Sequence, residues 1–382
     1  MKKTFFLFFC LISFNTHSAT TMNGFDISTY GFIKASSIYS THALGSFNNI
    51  NLSAPTFVPA QTRSQDKSAR LSFQTQQSRV GFNFEKMKDL KAKLEFDFID
   101  FNKSSPTVQM NPRVRIASMT YRWDNHTVLI GQDWDLFSPV TTFTFDIVGL
   151  YFMAGNTGFM RQQIQYLRQE GDWEFAAALG MAGNNPTGTD SDLELDRSPS
   201  YAARATKILR SGRIGLSGIY SRLTYETSNG VTQDVYGING FYEHLTGPFS
   251  LKSEIYYGKN LGNIGTLALG KGTNTAHVKE FGGTLTAQFQ ISEKNFLFGG
   301  GGMAKIDNKS ELSSFVMPAT NIITQTGLRQ NMIIRIGFDR RITPDFSWIS
   351  EISRFQSESK LADNKYHAET AESFESGIQL RF

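Results

Sequence analysis

The chain has almost no cysteine. Its 382 residues contain one, Cys10, within a segment that reads MKKTFFLFFCLISFNTHSA over residues 1–19. Lys2 and Lys3 form a basic start, Phe5 to Phe14 is mostly apolar, and Ala19 is a small residue suited to cleavage. That is the layout of a removable secretory signal. The bulky Phe8 and Phe9 in front of Cys10 do not suit lipid attachment there. A mature chain spanning 20–382 is therefore expected to carry no disulfide and no cysteine-ligated metal. Excess charge is missing too. Lys plus Arg number 38 against 34 Asp plus Glu, or 36 against 34 without the two signal lysines. This balance argues against a nucleic-acid partner, because phosphate recognition needs a concentrated basic face. No apolar run is long enough for a helical membrane span. Proline is scarce at 10 residues, and aromatics at 13% are too abundant for a disordered chain.

Catalytic patterns are absent as well. The six histidines are His17 in the signal, His126 and His244 near turns, and His42, His277 and His367 in or beside loops. None belongs to a recognisable catalytic motif, there is no Gly-x-Ser-x-Gly elbow, and no metal-ligand spacing occurs. The expectation is a protein that is not an enzyme and needs no cofactor.

What the chain does have is period-2 alternation in segments of about ten residues. Val80, Phe82 and Phe84 alternate with Arg79, Gly81 and Asn83. Leu94, Phe96 and Phe98 alternate with Lys93, Glu95 and Asp97, and Leu251, Ser253, Ile255 and Tyr257 with Lys252, Glu254 and Tyr256. The pattern predicts 16 strands, near 26–40, 77–86, 90–101, 113–123, 126–134, 159–169, 173–182, 200–210, 212–226, 232–245, 249–261, 277–291, 295–306, 329–342, 345–358 and 370–382. The weakest are 126–134 and 295–306, the latter because it carries Gly299 to Gly302. Short turns such as Asp124-Asn125 and Gly171-Asp172 alternate with long polar loops near 41–65, 102–112, 183–199, 262–276, 307–328 and 359–369.

Backbone groups in hydrocarbon must all be paired, which only helices and closed barrels achieve. With no apolar helix and a one-sided apolar face, the expected fold is all-β: a transmembrane antiparallel β-barrel of about sixteen strands, with short periplasmic turns and long extracellular loops. A secreted β-sandwich is the soluble alternative, but the second face is too charged for a shared dry core. The expected location is the outer membrane of a Gram-negative bacterium, among its lipid and lipopolysaccharide. Phe382 closes the last strand and resembles the C-terminal signal read by the outer-membrane assembly machinery.

A barrel of this size holds an aqueous channel. The inward alternation places Arg79, Arg113, Arg115, Arg161, Arg204 and Arg335 on its wall. The first four are expected to form one cluster, because Arg113 and Arg115 share a strand face and Arg161 starts the strand after a long loop. Arginine suits bidentate capture of carboxylates. That loop, 135–158, is apolar and aromatic. It is expected to fold into the barrel as a constriction, bringing Asp133, Asp135 and Asp146 to the arginines. The competing expectation packs it across a subunit interface. The strand with Gly299 to Gly302 and the strand with Ala202, Ala203 and Ala205 are candidates for flat packing between subunits.

The run Gly131-Gln132-Asp133-Trp134-Asp135-Leu136-Phe137, followed by Phe145-Asp146, Gly149 and Arg161-Gln162-Gln163-Ile164-Gln165-Tyr166, resembles the DcaP-like trimeric porins of Gram-negative outer membranes. Ser78-Arg79-Val80-Gly81-Phe82 and Glu95-Phe96-Asp97-Phe98 fit the same pattern. The specific motifs cover about residues 77–170, and Gln165 stands where that pattern has a basic residue. The resemblance implies a 16-stranded homotrimer that passes small anionic solutes such as dicarboxylates past arginines at a constriction. The alternatives are a general diffusion porin without anion preference and a non-conducting structural or adhesive barrel.

Overall fold

A computed structural model describes residues 20–22, 24–41, 69–99, 111–146, 151–157, 160–181, 198–225, 231–270, 275–312, 327–360 and 365–382. The signal segment 1–19 with Cys10, and most of the loops near 41–65, 102–112 and 183–199, lie outside these residues. The strand segments are β1 (Thr20–Met22), β2 (Phe25–Ser40), β3 (Arg70–Gln74), β4 (Arg79–Met87), β5 (Leu90–Asp97), β6 (Arg113–Trp123), β7 (His126–Trp134), β8 (Met160–Glu170), β9 (Trp173–Gly180), β10 (Ser200–Leu209), β11 (Gly212–Tyr225), β12 (Val231–His244), β13 (Phe249–Lys259), β14 (Lys279–Ser292), β15 (Asn295–Ile306), β16 (Leu328–Arg341), β17 (Phe346–Lys360) and β18 (Tyr366–Arg381).

Each of these pairs antiparallel with its chain neighbour from β4 to β18, and β18 returns to pair with β2, Ser373 opposite Ser40 through to Arg381 opposite Phe32. The sheet therefore closes. β3 pairs with the loop end of β2 and β4 with its turn end, so the two form one barrel strand interrupted at residues 75–78. There the Ser78 N–H bonds to the Thr75 carbonyl at 2.9 Å. β1 only doubles back on the start of β2. The result is a closed antiparallel barrel of sixteen strands.

Two-residue turns join β6 to β7 and β8 to β9, with Asp124 at φ 46° and Gly171 at φ 56°. This left-handed backbone matches the twist of a tight hairpin. The two strands expected to be weakest span His126–Trp134 and Asn295–Ile306. The second tolerates its glycines because Gly302 faces inward where another segment packs closely: a Cβ there would collide with the Ala154 carbonyl.

The alternation separates two environments. Outward positions carry large apolar side chains left exposed, among them Ile255 (68%), Leu285 and Ile334. The turn end adds stacked rings, Tyr121 on Trp123, Trp123 on His126 and Trp173 on Phe175. Such a belt is stable only against lipid. Inward positions carry Lys34, Glu95, Asp97, Arg115, Glu254, Glu280, Arg335, Glu351 and Glu375, all buried. Ala202 also points inward, packed near Leu136, Ala176 and Ala178. It thus separates from Ala203, which faces out, because successive strand residues point to opposite faces.

Ile255 stands near the middle of β13. Ile255→Arg is expected to lower barrel stability by about 2–4 kcal/mol, read as a shifted urea midpoint in lipid vesicles. An unchanged midpoint would place this face outside hydrocarbon.

Candidate pore constriction

The segment after β7 turns into the barrel. Asp135 Oδ1 accepts the Phe137 N–H at 3.0 Å, and Asp133 Oδ1 the Trp134 N–H at 2.8 Å. These short-range acceptors end the strand and bend the chain inward. Leu136 packs on Ala176 and Ala178 of β9. Phe137 is fully buried against Ile219, Leu223, Val235 and Tyr256, and its carbonyl accepts from Ser217 and from Asn239 at 2.8 Å.

Two wall carboxylates then hold the segment. Glu254 of β13 receives Ser138 Oγ at 2.8 and 2.9 Å and Asn156 Nδ2 at 2.5 Å. It therefore binds both arms of the excursion. Glu351 of β17 accepts Thr144 Oγ1 at 2.8 Å and the Phe145 N–H at 2.9 Å. Arg335 of β16 contacts Glu351 at 3.1 Å, Asp146 at 3.3 Å and Thr144 Oγ1 at 2.6 Å. Lys34 of β2 donates to the Phe145 carbonyl at 2.6 Å and pairs with Glu375 at 2.8 Å. The returning turn, Tyr151 to Asn156, lies on the glycine-lined wall of β14 and β15. Gly155 at φ 98° lies against the Gly283 backbone so closely that a Cβ would collide with it. Burial pushes the Tyr151 phenol above its ordinary pKa.

A second inward segment contradicts the expected polar loop near 262–276. Leu261–Ile264 and Leu267–Gly270 form two short 3₁₀ turns, with Leu261, Ile264 and Leu267 fully buried. The three-residue spacing puts Leu261 and Ile264 on one face of the first turn, against Phe137, while Leu267 packs with Tyr151 and Phe355. Glu280 of β14 caps the segment, accepting the Ala268 N–H at 2.6 Å, the Leu267 N–H at 3.2 Å and the Tyr256 hydroxyl at 2.9 Å.

The structure divides the nine sequence-predicted residues. Arg79, Arg113 and Arg115 meet around two carboxylates of β5. Arg79 lies 3.5 Å from Glu95, Arg115 lies 2.9 Å from Glu95 and 3.2 Å from Asp97, and Arg113 lies 2.5 Å from Asp97. A bulge opposite Glu95 lets Arg113 and Arg115 both reach inward. Tyr30 donates to Glu95 at 2.9 Å, and Asp133 accepts from Ser118 at 2.9 Å.

Arg161 does not join this cluster, which corrects the four-arginine expectation. It reaches instead toward Asp135 at 4.0 Å and to the Asn263 and Met181 carbonyls. Arg204 pairs with Glu174 at 2.9 Å on the neighbouring strand. Arg335, Arg161, Asp135 and Asp146 are buried, so they do not line a water path as expected. The two inward segments cover them, and ion pairs and hydrogen bonds offset their desolvation. Water reaches Arg113, 25% exposed, Arg79 and, to a smaller extent, Arg204.

The residues that do the anchoring, Glu254, Glu280, Glu351 and Lys34, were not among the nine. Glu254, Glu280 and Glu351 are legible as inward charges by alternation. Their partners lie far away in the chain, Ser138 being 116 residues from Glu254, so no local pattern marks them.

No protein-family model matches the chain, and no curated protein matches it. Solved structures do. The outer-membrane channel DcaP of Acinetobacter baumannii superposes with a TM-score of 0.70 at 14% identity, over 95% of this chain and 99% of that one. The anion-selective porin from Comamonas acidovorans gives 0.60 at 12% identity, over 94% and 100%. The outer-membrane protein OmpT of Vibrio cholerae in its trimer form gives 0.53 at 9% identity, over 94% and 100%. The chain has the DcaP-like porin fold, that of an outer-membrane β-barrel.

Glu254→Ala leaves Ser138 and Asn156 without their shared acceptor, a loss of about 1–3 kcal/mol at the base of the excursion. If that segment narrows the bore, single-channel conductance rises and becomes noisier in this variant, and rises further on deletion of 140–155. Unchanged conductance in both would show that the segment does not set the bore.

Proposed function

We propose that the chain is a porin, a passive and non-catalytic diffusion channel for small hydrophilic solutes, working as a homotrimer and favouring anionic solutes such as dicarboxylates. The observation that carries this reading is the accessible face of the β4–β6 cluster. Three guanidinium groups there share two carboxylates, and the more exposed partners are Arg79 and Arg113, at 21% and 25%, not Glu95 and Asp97, at 5% and 1%. A solute passing this wall meets donors whose acceptors are turned away from it. Arginine in that state attracts carboxylates by field and by paired hydrogen bonds. The names of the similar structures support it in kind: one is an outer-membrane channel, one an anion-selective porin, and one a protein seen as a trimer.

Asp133 lies near the same wall and tempers the field. Most of the buried apolar clusters press on β11–β18 and β2, and the inward segments also cover parts of β8–β10, so the path left to solutes runs along β4–β6. That filling is also what a non-conducting structural barrel would show, and a silent membrane would establish it.

Replacing Arg79 and Arg113 together by Gln is expected to lower the anion-to-cation permeability ratio by about fivefold per charge, the factor equivalent to about 1 kcal/mol for unit charges 4 Å apart in water. Reversal potentials in a salt gradient across a planar bilayer measure it. Arg335→Gln, placed under the excursion, is expected to change conductance and noise more than the reversal potential. Equal reversal potentials for wild type and the double variant would remove the anion assignment.

A further inference from the structure

The outward face changes character at the loop end of four neighbouring strands, β13 to β16. Lys259 ends β13, Lys279 begins β14, Lys305 is the last but one residue of β15, and Arg329 occupies a bulge at the start of β16. Lys259, Lys279 and Lys305 continue the outward alternation of Tyr257, Phe281 and Met303. Arg329 lies against the Tyr366 ring and pairs with Glu358.

The register draws these cations into one row. Lys259 stands directly opposite Lys279, Lys305 opposite Phe281, and Gln330, next to Arg329, opposite Lys305. Like charges facing each other across a ladder repel. Other outward charges near this rim come with the opposite sign: Arg222 faces Asp234, and Arg354 lies 3.8 Å from Glu372. Among the described residues no carboxylate pairs with Lys259, Lys279 or Lys305. Asp307 stands opposite Lys279, its N–H bonded to the Lys279 carbonyl at 2.8 Å, and Glu358 is engaged by Arg329, so the row keeps an excess of positive charge.

Further along the same outward faces, beyond Tyr257 and Phe281, lies bare apolar surface, with Ile255, Leu285, Ile334 and Ile336 each half exposed or more. Two residues of strand, about 7 Å, separate one ammonium from the next outward side chain, and four strands spaced by about 4.8 Å spread the row over about 14 Å. Cations at the extracellular rim above an alkyl surface are the complement of an anionic amphiphile. A soluble anion would use only the upper part. A trimer closing on this face would bring three such rows toward one axis, which their charge opposes.

We propose that Lys259, Lys279, Lys305 and Arg329 bind the phosphorylated headgroup of an outer-leaflet glycolipid, whose acyl chains lie on β13–β16. The proposal rests on the reading that this exterior sits in the outer membrane. It does not depend on conduction.

The test uses the full mature protein purified in detergent, with bisphosphorylated lipid A as the probe and affinity read by native mass spectrometry. The combined K259Q, K279Q and K305Q variant is expected to bind at least tenfold more weakly, with about fivefold per surface cation, while conductance stays unchanged. Equal affinity in this variant overturns the proposal. Inorganic phosphate is expected not to displace the lipid; full displacement by phosphate alone makes this a free-anion site and overturns the lipid as occupant. Loss of the oligomer in the variant, with lipid affinity retained, assigns the face to a contact between copies and also overturns it. If the triple variant does not fold, K279Q and K305Q singly carry the same comparison, each expected to be about fivefold weaker. Wild-type protein that binds the lipid without conducting would count against the porin reading and leave this one standing.

Discussion

The pairing of β18 with β2 is the constraint on which everything else depends. A sheet that ended without it would leave two rows of unpaired N–H and C=O groups in hydrocarbon, at several kcal/mol for each group. Closure removes both edges at once. It also divides every strand into a lipid face and a lumen face, so Ile33 and Lys34, adjacent in the chain, meet opposite solvents: Ile33 is exposed outward and Lys34 is wholly buried inside. The charged lumen follows from the same geometry, since residues not fit for lipid have one other place to go.

A lumen lined by charge must then satisfy it. The chain uses its inward carboxylates in two ways. Glu95 and Asp97 neutralise the arginines beside them on the wall. Glu254, Glu280 and Glu351 instead reach inward and hold loop backbone and loop side chains. A buried carboxylate without such donors is costly, and its donors would be equally costly to bury alone. Wall and loop therefore stabilise each other, and residues 135–146 and 151–157 become part of the barrel instead of a flap above it. Arg335 shows the consequence. Bracketed by Asp146 and Glu351, it holds the loop and is withdrawn from any passing solute.

The filling is uneven. Phe137, Leu261 and Ile264 form one apolar cluster, while Tyr151, Met153, Leu267 and Phe355 belong to another, on the side of β11–β18. Of the predicted arginines, the two that water reaches most, Arg79 and Arg113, face the other side, while Arg213 and Arg381, paired with Glu243 and Asp339, keep partly exposed guanidinium groups on the β11–β18 side. The exterior repeats this economy of charge. Near the loop end Arg222 faces Asp234 and Arg354 lies 3.8 Å from Glu372, whereas Lys259, Lys279 and Lys305 form no ion pair among the described residues.

Alternation by itself determined the architecture. Residues two apart share a face of a regular strand, and even β7 and β15, where the pattern is weakest, begin and end where it places them, while the bulge in β6 shifts the phase of its alternation. The inward direction of Arg79, Arg113, Arg204 and Arg335 was legible for the same reason. Tertiary structure alone decided which of these charges are exposed. Nothing local distinguishes Arg335 from Arg113: each lies on a lumen face, but one is covered by a segment almost two hundred residues earlier in the chain and the other is not. The same applies to Leu261 and Ile264, whose burial depends on Phe137 and Tyr256 being brought beside them, and to Leu267, buried with Tyr151 and Phe355. Strand periodicity is a property of neighbouring residues. Burial inside a closed barrel depends on which distant segment enters the bore, and that is settled only when the whole ring has formed.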